Sequence, residues 1–349
     1  MRIALLAPIQ ERCPPEGYGG IERVVALLAE GLCARGHRVT LFASGDSRTS
    51  AHLSGTEATA LRPRGLSIPE QRLRDLRHVG AALARAEEFD VIHNHHGPMP
   101  LGLDTGAAPI LTTLHGPMTP EHRQPFEGQH PCVAISRHQA THATGVRVLG
   151  VVHNGVDVAA LRHHRVAEDV LQPHEWGRAL VFLGRISPEK GPHLAIRTGQ
   201  RLGLPVVLAG KIDPVDRAYA ESAVLPHVDG VRVRWVGEVG GARKATLLRG
   251  ALAMLHPVRW PEPFGLVLVE AMAAGTPVVA LAEGAIPEIV EHGVTGWVGH
   301  DPEDLETGVR KVADMDRAPL PGIAARRFSP ARMTRGYESL YDQLLDGRS

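Results

Sequence analysis

The chain has 349 residues, more than one hydrophobic core usually serves, so two domains are expected. Lys and Arg number 38 together, as do Asp and Glu, and so balanced a field argues against a nucleic-acid footprint or a polybasic membrane anchor. The three cysteines, Cys13, Cys33 and Cys132, are widely spaced; they argue against a disulfide framework or a zinc cluster and read as reduced thiols in cytoplasm.

The opening Met1-Arg2-Ile3-Ala4-Leu5-Leu6-Ala7-Pro8 is too brief for a secretory segment and reads as a first strand. No apolar run reaches the roughly 18 residues that span a bilayer. Short apolar runs alternate with amphipathic stretches along the chain, the pattern of an α/β protein with parallel sheets under helices. In the first half, strands are expected at Ile3–Ala7, Val39–Ala43, Val91–His93, Ile110–Leu114 and Val133–Ile135. A helix over Ile21–Arg35 turns Val24, Val25, Leu27, Leu28 and Leu32 inward and stops at Gly36.

Between that first strand and helix, Gly17-Tyr18-Gly19-Gly20 could set bare backbone amides against a phosphate. Glu22 stands where Gly-x-Gly-x-x-Gly needs its third glycine, so a plain dinucleotide site is disfavoured. Arg62, Arg64, Arg72, Arg74, Arg77 and Arg85 follow on an expected helix. They could touch lipid headgroups or an anionic acceptor, although Glu70, Asp75, Glu87 and Glu88 dilute them and favour a solvated face. His93, Asn94, His95 and His96 lack a partner carboxylate or cysteine cluster, so His93 reads as strand-end structure rather than a metal ligand. His115 ends the strand Ile110–Leu114, where its imidazole should project from the sheet.

A second series of strands is expected at Ala179–Leu183, Val206–Ala209, Val231–Val236, Ala253–His256 and Val278–Ala280. Between the series the polar stretch with Arg162, His163, His164, Arg165 and Pro173 reads as a linker. The expected division is an N-terminal domain at 1–160, a linker at 161–176, a C-terminal domain at 177–327, and a final helix at 328–349 docking back on the N-terminal domain. That helix carries Met333, Tyr337, Leu340, Tyr341 and Leu344 at helical spacing.

Ligands of open α/β sheets bind beyond the carboxyl ends of strands, and two polar motifs lie there. Arg185 and Lys190 bracket the turn after Ala179–Leu183, with Pro192 suited to the first helical position. A diphosphate would take a fork from the arginine, a point charge from the lysine and the field of the helix end. After Ala253–His256, Glu262-Pro263-Phe264-Gly265-Leu266 enters a small-residue helix, and the amides of Phe264, Gly265 and Leu266 can face an anion or sugar oxygens. Glu270 lies five residues beyond Gly265, about 7.5 Å along a helix axis, far enough to address another part of one extended ligand. Asp314-Met315-Asp316 has the form of a metal-binding Asp-x-Asp, but it precedes Pro319 in a polar stretch and reads as surface.

Gly184-Arg185, Lys190-Gly191, Glu262-Pro263-Phe264-Gly265-Leu266, Glu270-Ala271 and Gly275-Thr276-Pro277-Val278-Val279 together resemble the retaining glycosyltransferases of family four, with their Glu-x7-Glu spacing. The likeness extends from Tyr18-Gly19-Gly20-Ile21-Glu22-Arg23 through Asn154-Gly155-Val156-Asp157 to Gly293-Val294-Thr295-Gly296-Trp297. It implies the GT-B fold, two facing Rossmann-like domains with the reaction in a central cleft. It also implies a nucleotide-diphosphate sugar donor, UDP- or GDP-linked, and a hydroxyl acceptor that is a small molecule or glycan, with no metal or other cofactor. By the same resemblance Arg185 and Lys190 hold the diphosphate, Glu262 and the amides after it hold the sugar, and Glu270 holds the ribose. Gly19 and Gly20 assist donor binding, and His115 lies near the reacting sugar. Peripheral membrane contact is possible on this reading but not favoured. A sugar-nucleotide epimerase of the same architecture and a non-catalytic nucleotide-sugar-binding protein remain as alternatives.

Overall fold

The computed structural model describes residues 1–104, 106–163, 166–167 and 169–347. The chain divides into two compact units, residues 1–155 with 330–349, and residues 156–329. The first holds a parallel sheet of β1 (Arg2–Leu6), β2 (Arg38–Phe42), β3 (His52–Ser54), β4 (Val91–Asn94), β5 (Ile110–Leu114), β6 (Gly128–Ala134) and β7 (Val146–Val151), in the order β3-β2-β1-β4-β5-β6-β7. The second holds β8 (Leu180–Leu183), β9 (Val206–Ala209), β10 (Val233–Trp235), β11 (Ala253–His256), β12 (Val278–Leu281) and β13 (Gly296–Gly299), also parallel, in the order β10-β9-β8-β11-β12-β13.

Central strands such as β8, β9 and β11 are buried along their whole length, because helices cover both faces of a parallel sheet. Their continuous apolar runs are what made them visible in the sequence. β3, β7 and β13 were not anticipated: β3 has one large apolar residue, β7 is half-buried at best, and β13 begins and ends with glycine. Leu27 is half-buried rather than inward, while Val24, Val25, Leu28 and Leu32 of the helix Gly20–Ala34 are buried as expected.

The contact boundary between the units falls at Gly155/Val156, ahead of the expected 160/161 junction. Within the stretch read as linker, the helix Val158–His163 and the turn Pro173–Glu175 belong to the second unit. Glu175 is buried there and pairs with Arg234, so the stretch read as a linker contributes a satisfied interior group to the second unit. His164 and Arg165 lie outside the described residues. The last helix, Pro330–Asp346, belongs to the first unit and packs on Gly20–Ala34. The approach is so close that a Cβ on Gly31 would run into Thr334.

The arginine run occupies a short turn, Arg62–Arg64, and the helix Ile68–Leu83. Arg64 and Arg74 both pair with Glu57 at 2.7 and 2.9 Å, Arg62 with Glu11 at 2.5 Å, and Arg85 with Glu88 at 2.7 Å. Much of the positive stripe is therefore neutralised locally. Among the described residues, no helix is long and apolar enough to cross a membrane.

Sheet order places the candidate chemistry. The direction of winding reverses between β1 and β4 in the first unit and between β8 and β11 in the second, and such a switch opens a crevice at the carboxyl ends of those strands. The segments carrying Arg185, Lys190 and Glu262 leave β8 and β11; those carrying Gly19, Gly20 and His95 leave β1 and β4.

Candidate active site

After β8 the chain runs through the turn Pro188–Lys190 to Gly191, whose φ is 71°, and Pro192 then opens the helix Pro192–Leu202. Glycine is required at 191, since the backbone is left-handed and a Cβ would strike the carbonyl of Pro257. This approach brings the turn after β8 against the chain leaving β11. Lys190 Nζ donates to Glu262 Oε2 at 2.6 Å and lies 4.4 Å from the centre of the Trp260 ring. Trp260 Nε1 donates to the same oxygen at 2.9 Å, and His256 Nε2 stands 3.8 Å from it.

Glu262 is buried, which alone would raise its carboxyl, but the charge and hydrogen bond of Lys190, with His256 close by, hold it well below the ordinary carboxylate range. Burial keeps His256 below its usual value despite Glu262. The backbone of Glu262 is held as well: Ala285 N donates to its carbonyl at 2.8 Å. Gly284, with φ 62°, sits where a Cβ would strike Glu262 N and O. Gly284→Ala is therefore expected to displace the carboxylate and to cost about 1–3 kcal/mol from the backbone conformation alone. A chemical melt and a donor titration check this; wild-type stability and affinity would contradict it.

Arg185 is not an open fork. Its guanidinium pairs with Glu189, approaches Asp216 at 3.1 Å, and lies 3.8 Å from Asp213, which also pairs with Lys211 at 2.8 Å. Burial raises the Asp216 carboxyl against the pull of Arg185. Glu270, on the helix Leu266–Ala273, is buried and ion-paired with Lys244 of the helix Gly241–Gly250. The structure thus matches each predicted acid and base with a partner of opposite charge. Phe264 points its ring into the core against Phe328, with centroids 5.8 Å apart, and Gly265 caps the following helix at φ 80° with Leu266 its first residue.

In the first unit, Gly19 (φ 137°) caps the helix that begins at Gly20. Glu22 in its first turn is buried and its carboxyl is pushed up to about 7, chiefly by that burial. His115 follows β5 and is half-buried; burial lowers its imidazole to about 4, so it is neutral at pH 7. Buried Gln139 secures the strand end beside it, donating from Nε2 to the carbonyls of Leu114 at 2.9 Å and Gly116 at 2.7 Å. His93 is wholly buried and lies 2.7 Å from both Tyr341 Oη and Thr113 Oγ1. Among the described residues, no group of three or more His, Cys, Asp or Glu is arranged to hold a metal ion. Asp314 and Asp316 are exposed.

Sequence reasoning missed Trp260, His256, Lys244, Glu189, Asp213, Asp216 and Glu22. Trp260 and Glu189 were within reach, two residues before Glu262 and one turn after Arg185. Lys244 had no local signal, because only tertiary packing brings it to Glu270.

Residues 18–160 match the family model described as Glycosyltransferase Family 4, and residues 169–326 match the one described as Glycosyl transferases group 1. The chain is 29% identical over 323 residues to the phosphatidyl-myo-inositol mannosyltransferase of Mycolicibacterium smegmatis, covering 85% of this chain and 80% of that one. A solved glycosyltransferase involved in avilamycin A biosynthesis is 28% identical with a TM-score of 0.71, covering 99% of this chain and 98% of that one. An Anabaena protein solved with UDP and glucose shares the fold at a TM-score of 0.72 and 21% identity, covering 98% and 100% of the two chains. With its two parallel α/β units and these matches along both of them, the chain belongs to the family-four glycosyltransferases and has the GT-B fold.

Proposed function

We propose that the protein is a cytoplasmic, retaining glycosyltransferase that moves a hexosyl group from a UDP- or GDP-sugar to a hydroxyl acceptor without a metal ion. The observation that carries this reading is the Lys190–Glu262 pair at the switch point of the second sheet, joined on one oxygen by Trp260. A cation beside a strand-to-helix turn and a dry, ionised carboxylate supply what a sugar diphosphate asks for at neighbouring points: charge for phosphate, an acceptor for sugar hydroxyls.

Arg185 and Lys190 take the diphosphate, so its oxygens must compete with Glu189 and Asp216 for the guanidinium. Gly19 and Gly20 offer amides to the donor. Glu262 and the amides of Phe264, Gly265 and Leu266 hold the sugar, and Glu270 accepts from the ribose hydroxyls. His115 orients the reacting sugar or acceptor as a neutral hydrogen-bonding ring. The acceptor oxygen attacks the anomeric carbon on the face from which the diphosphate leaves. The carbon–oxygen bond to phosphate breaks as the new glycosidic bond forms, and the acceptor proton passes to the departing phosphate oxygen. Catalysis is then positioning and charge stabilisation. Because the mycobacterial relative is named for phosphatidyl-myo-inositol, an inositol-type polyol is the first acceptor class to try.

The test incubates the protein with UDP-glucose or GDP-mannose, with and without myo-inositol acceptors, and follows nucleoside diphosphate release and product anomeric configuration. Acceptor-dependent release with retention is expected. An inverted product would refute front-face attack, and a new sugar nucleotide formed without acceptor would replace transfer by epimerisation. Glu262→Gln keeps the shape and removes the charge; donor affinity is expected to fall roughly tenfold, the value of one charge-assisted hydrogen bond. An unchanged Kd would remove Glu262 from the sugar contact.

A further inference from the structure

Behind His115 the first unit contains a file of imidazoles. His115 Nε2 lies 2.9 Å from His95 Nδ1, and His95 Nε2 lies 3.3 Å from His93 Nδ1. His93 Nδ1 lies 2.7 Å from Tyr341 Oη and His93 Nε2 lies 2.7 Å from Thr113 Oγ1, which donates to Tyr337 Oη at 3.0 Å. The rings are close as well, with centroids 4.0 Å apart for His93 and His95 and 5.2 Å for His95 and His115. His93, His95, Tyr337 and Tyr341 are all buried.

A neutral imidazole has one donor nitrogen and one acceptor, which leaves this file little freedom. With the Thr113 proton directed to Tyr337, His93 must donate to Thr113 from Nε2, and its Nδ1 is a lone pair that accepts from the Tyr341 hydroxyl. His95 Nε2 then carries a proton, since two lone pairs would otherwise face each other, and at 3.3 Å it shares the one lone pair whose main donor is Tyr341 Oη at 2.7 Å. His95 Nδ1 consequently accepts from His115 Nε2–H, leaving His115 Nδ1 as the bare nitrogen. Burial lowers all three imidazoles, in keeping with neutral rings.

We propose that His95 is a positioning residue for glycosyl transfer: it holds the His115 ring in one plane and one tautomer, and its own protonation is set through His93 by the Tyr341 and Tyr337 hydroxyls of the last helix. The proposal rests on the reading above that His115 serves the transfer. It gives the C-terminal helix a function beyond packing, because its tyrosine hydroxyls set the tautomer of a residue at the end of β5.

The experiment compares His95→Leu, which removes both ring nitrogens, with His95→Asn, whose side-chain oxygen can accept from His115 Nε2–H but does not reach His93. Turnover is followed with UDP-glucose and GDP-mannose in parallel. His95→Leu is expected to lower kcat roughly tenfold or more, the scale of a misplaced reacting group, with donor KM within about twofold. His95→Asn is expected to recover most of that loss. Both variants break the link to His93, so a merely structural role would lower them alike. Wild-type kcat for His95→Leu, or equal losses in both variants, would overturn the proposal. Should His95→Leu fail to fold, Tyr341→Phe, which keeps the ring and removes the hydroxyl, is expected to lower kcat severalfold at constant KM, and an unchanged kcat overturns it. His115→Ala separates the two ideas: full activity there removes His115 from the reaction and this proposal with it, whereas an inactive His115→Ala beside a fully active His95→Leu removes the positioning role alone.

Discussion

Lys190→Ala is expected to lower kcat by about 10²–10³-fold, the usual effect of removing one fixed group that stabilises charge developing in a transition state. From the sequence alone the substitution would leave the fold untouched. The structure adds a second effect, because Lys190 neutralises a buried Glu262 at 2.6 Å. Removing one partner strands the other as a buried charge, at a cost of about 3–5 kcal/mol. The single variant should therefore melt earlier as well as turn over more slowly. Replacing Glu262 by Gln in the same protein removes the stranded charge, so the double variant is expected to recover melting temperature but not rate. Near-normal transfer by Lys190→Ala would exclude Lys190 from the mechanism, and an undiminished melting temperature would show that Glu262 is better solvated than its burial implies.

Acid lability of the first unit is the other large effect. Burial depresses His93 to about 3, His78 and His115 to about 4, and His95 well below its ordinary value. In the unfolded chain these rings titrate near 6.5. Their contribution is fully present above pH 6.5. As the pH falls from there towards 4 the unfolded state takes up protons that the folded state refuses, and stability is lost. Each unit of displacement corresponds to about 1.4 kcal/mol, so four such rings put several kcal/mol at stake. Glu22 works in the opposite sense: raised to about 7 in the fold, it adds stability as the pH falls from 7 towards 4.5 and offsets part of the loss. The depressed Glu262 carboxyl begins to cost stability only below about 4.5, so between 6.5 and 4.5 the loss from the imidazoles is opposed by Glu22 and not compounded by Glu262. Melting curves at pH 7.5 and 5.0 should show a marked drop; coincident curves would mean that these rings are hydrated in solution.

Much of the architecture was legible because buried parallel strands are continuous apolar words. β5, β9 and β11 match their expected spans residue for residue, and β8 and β12 each differ by one residue at one end. The motifs that carry the family resemblance were equally plain, since turns such as Gly191 and Gly265 need glycine for local backbone reasons. Of the edge strands, β10 fell within its expected span, and β3, β7 and β13 were opaque. β3 and β13 have too few apolar side chains to announce themselves, and they form only because a neighbouring strand offers its hydrogen bonds.

The class, the family, and the turns on which Arg185, Lys190, Glu262 and His115 stand could all be read from the residues alone, because strand burial, helix starts and glycine turns are local properties of the chain. What each of those groups touches follows from the packing of distant segments. Arg185 meets Asp213 and Asp216, Glu270 meets Lys244, and His115 meets His95, with Tyr341 two rings further on. Apart from Glu189 beside Arg185, these partners come from other segments of the chain, brought near by sheet order, and a charge or tautomer is set by what lies within a few ångströms in space.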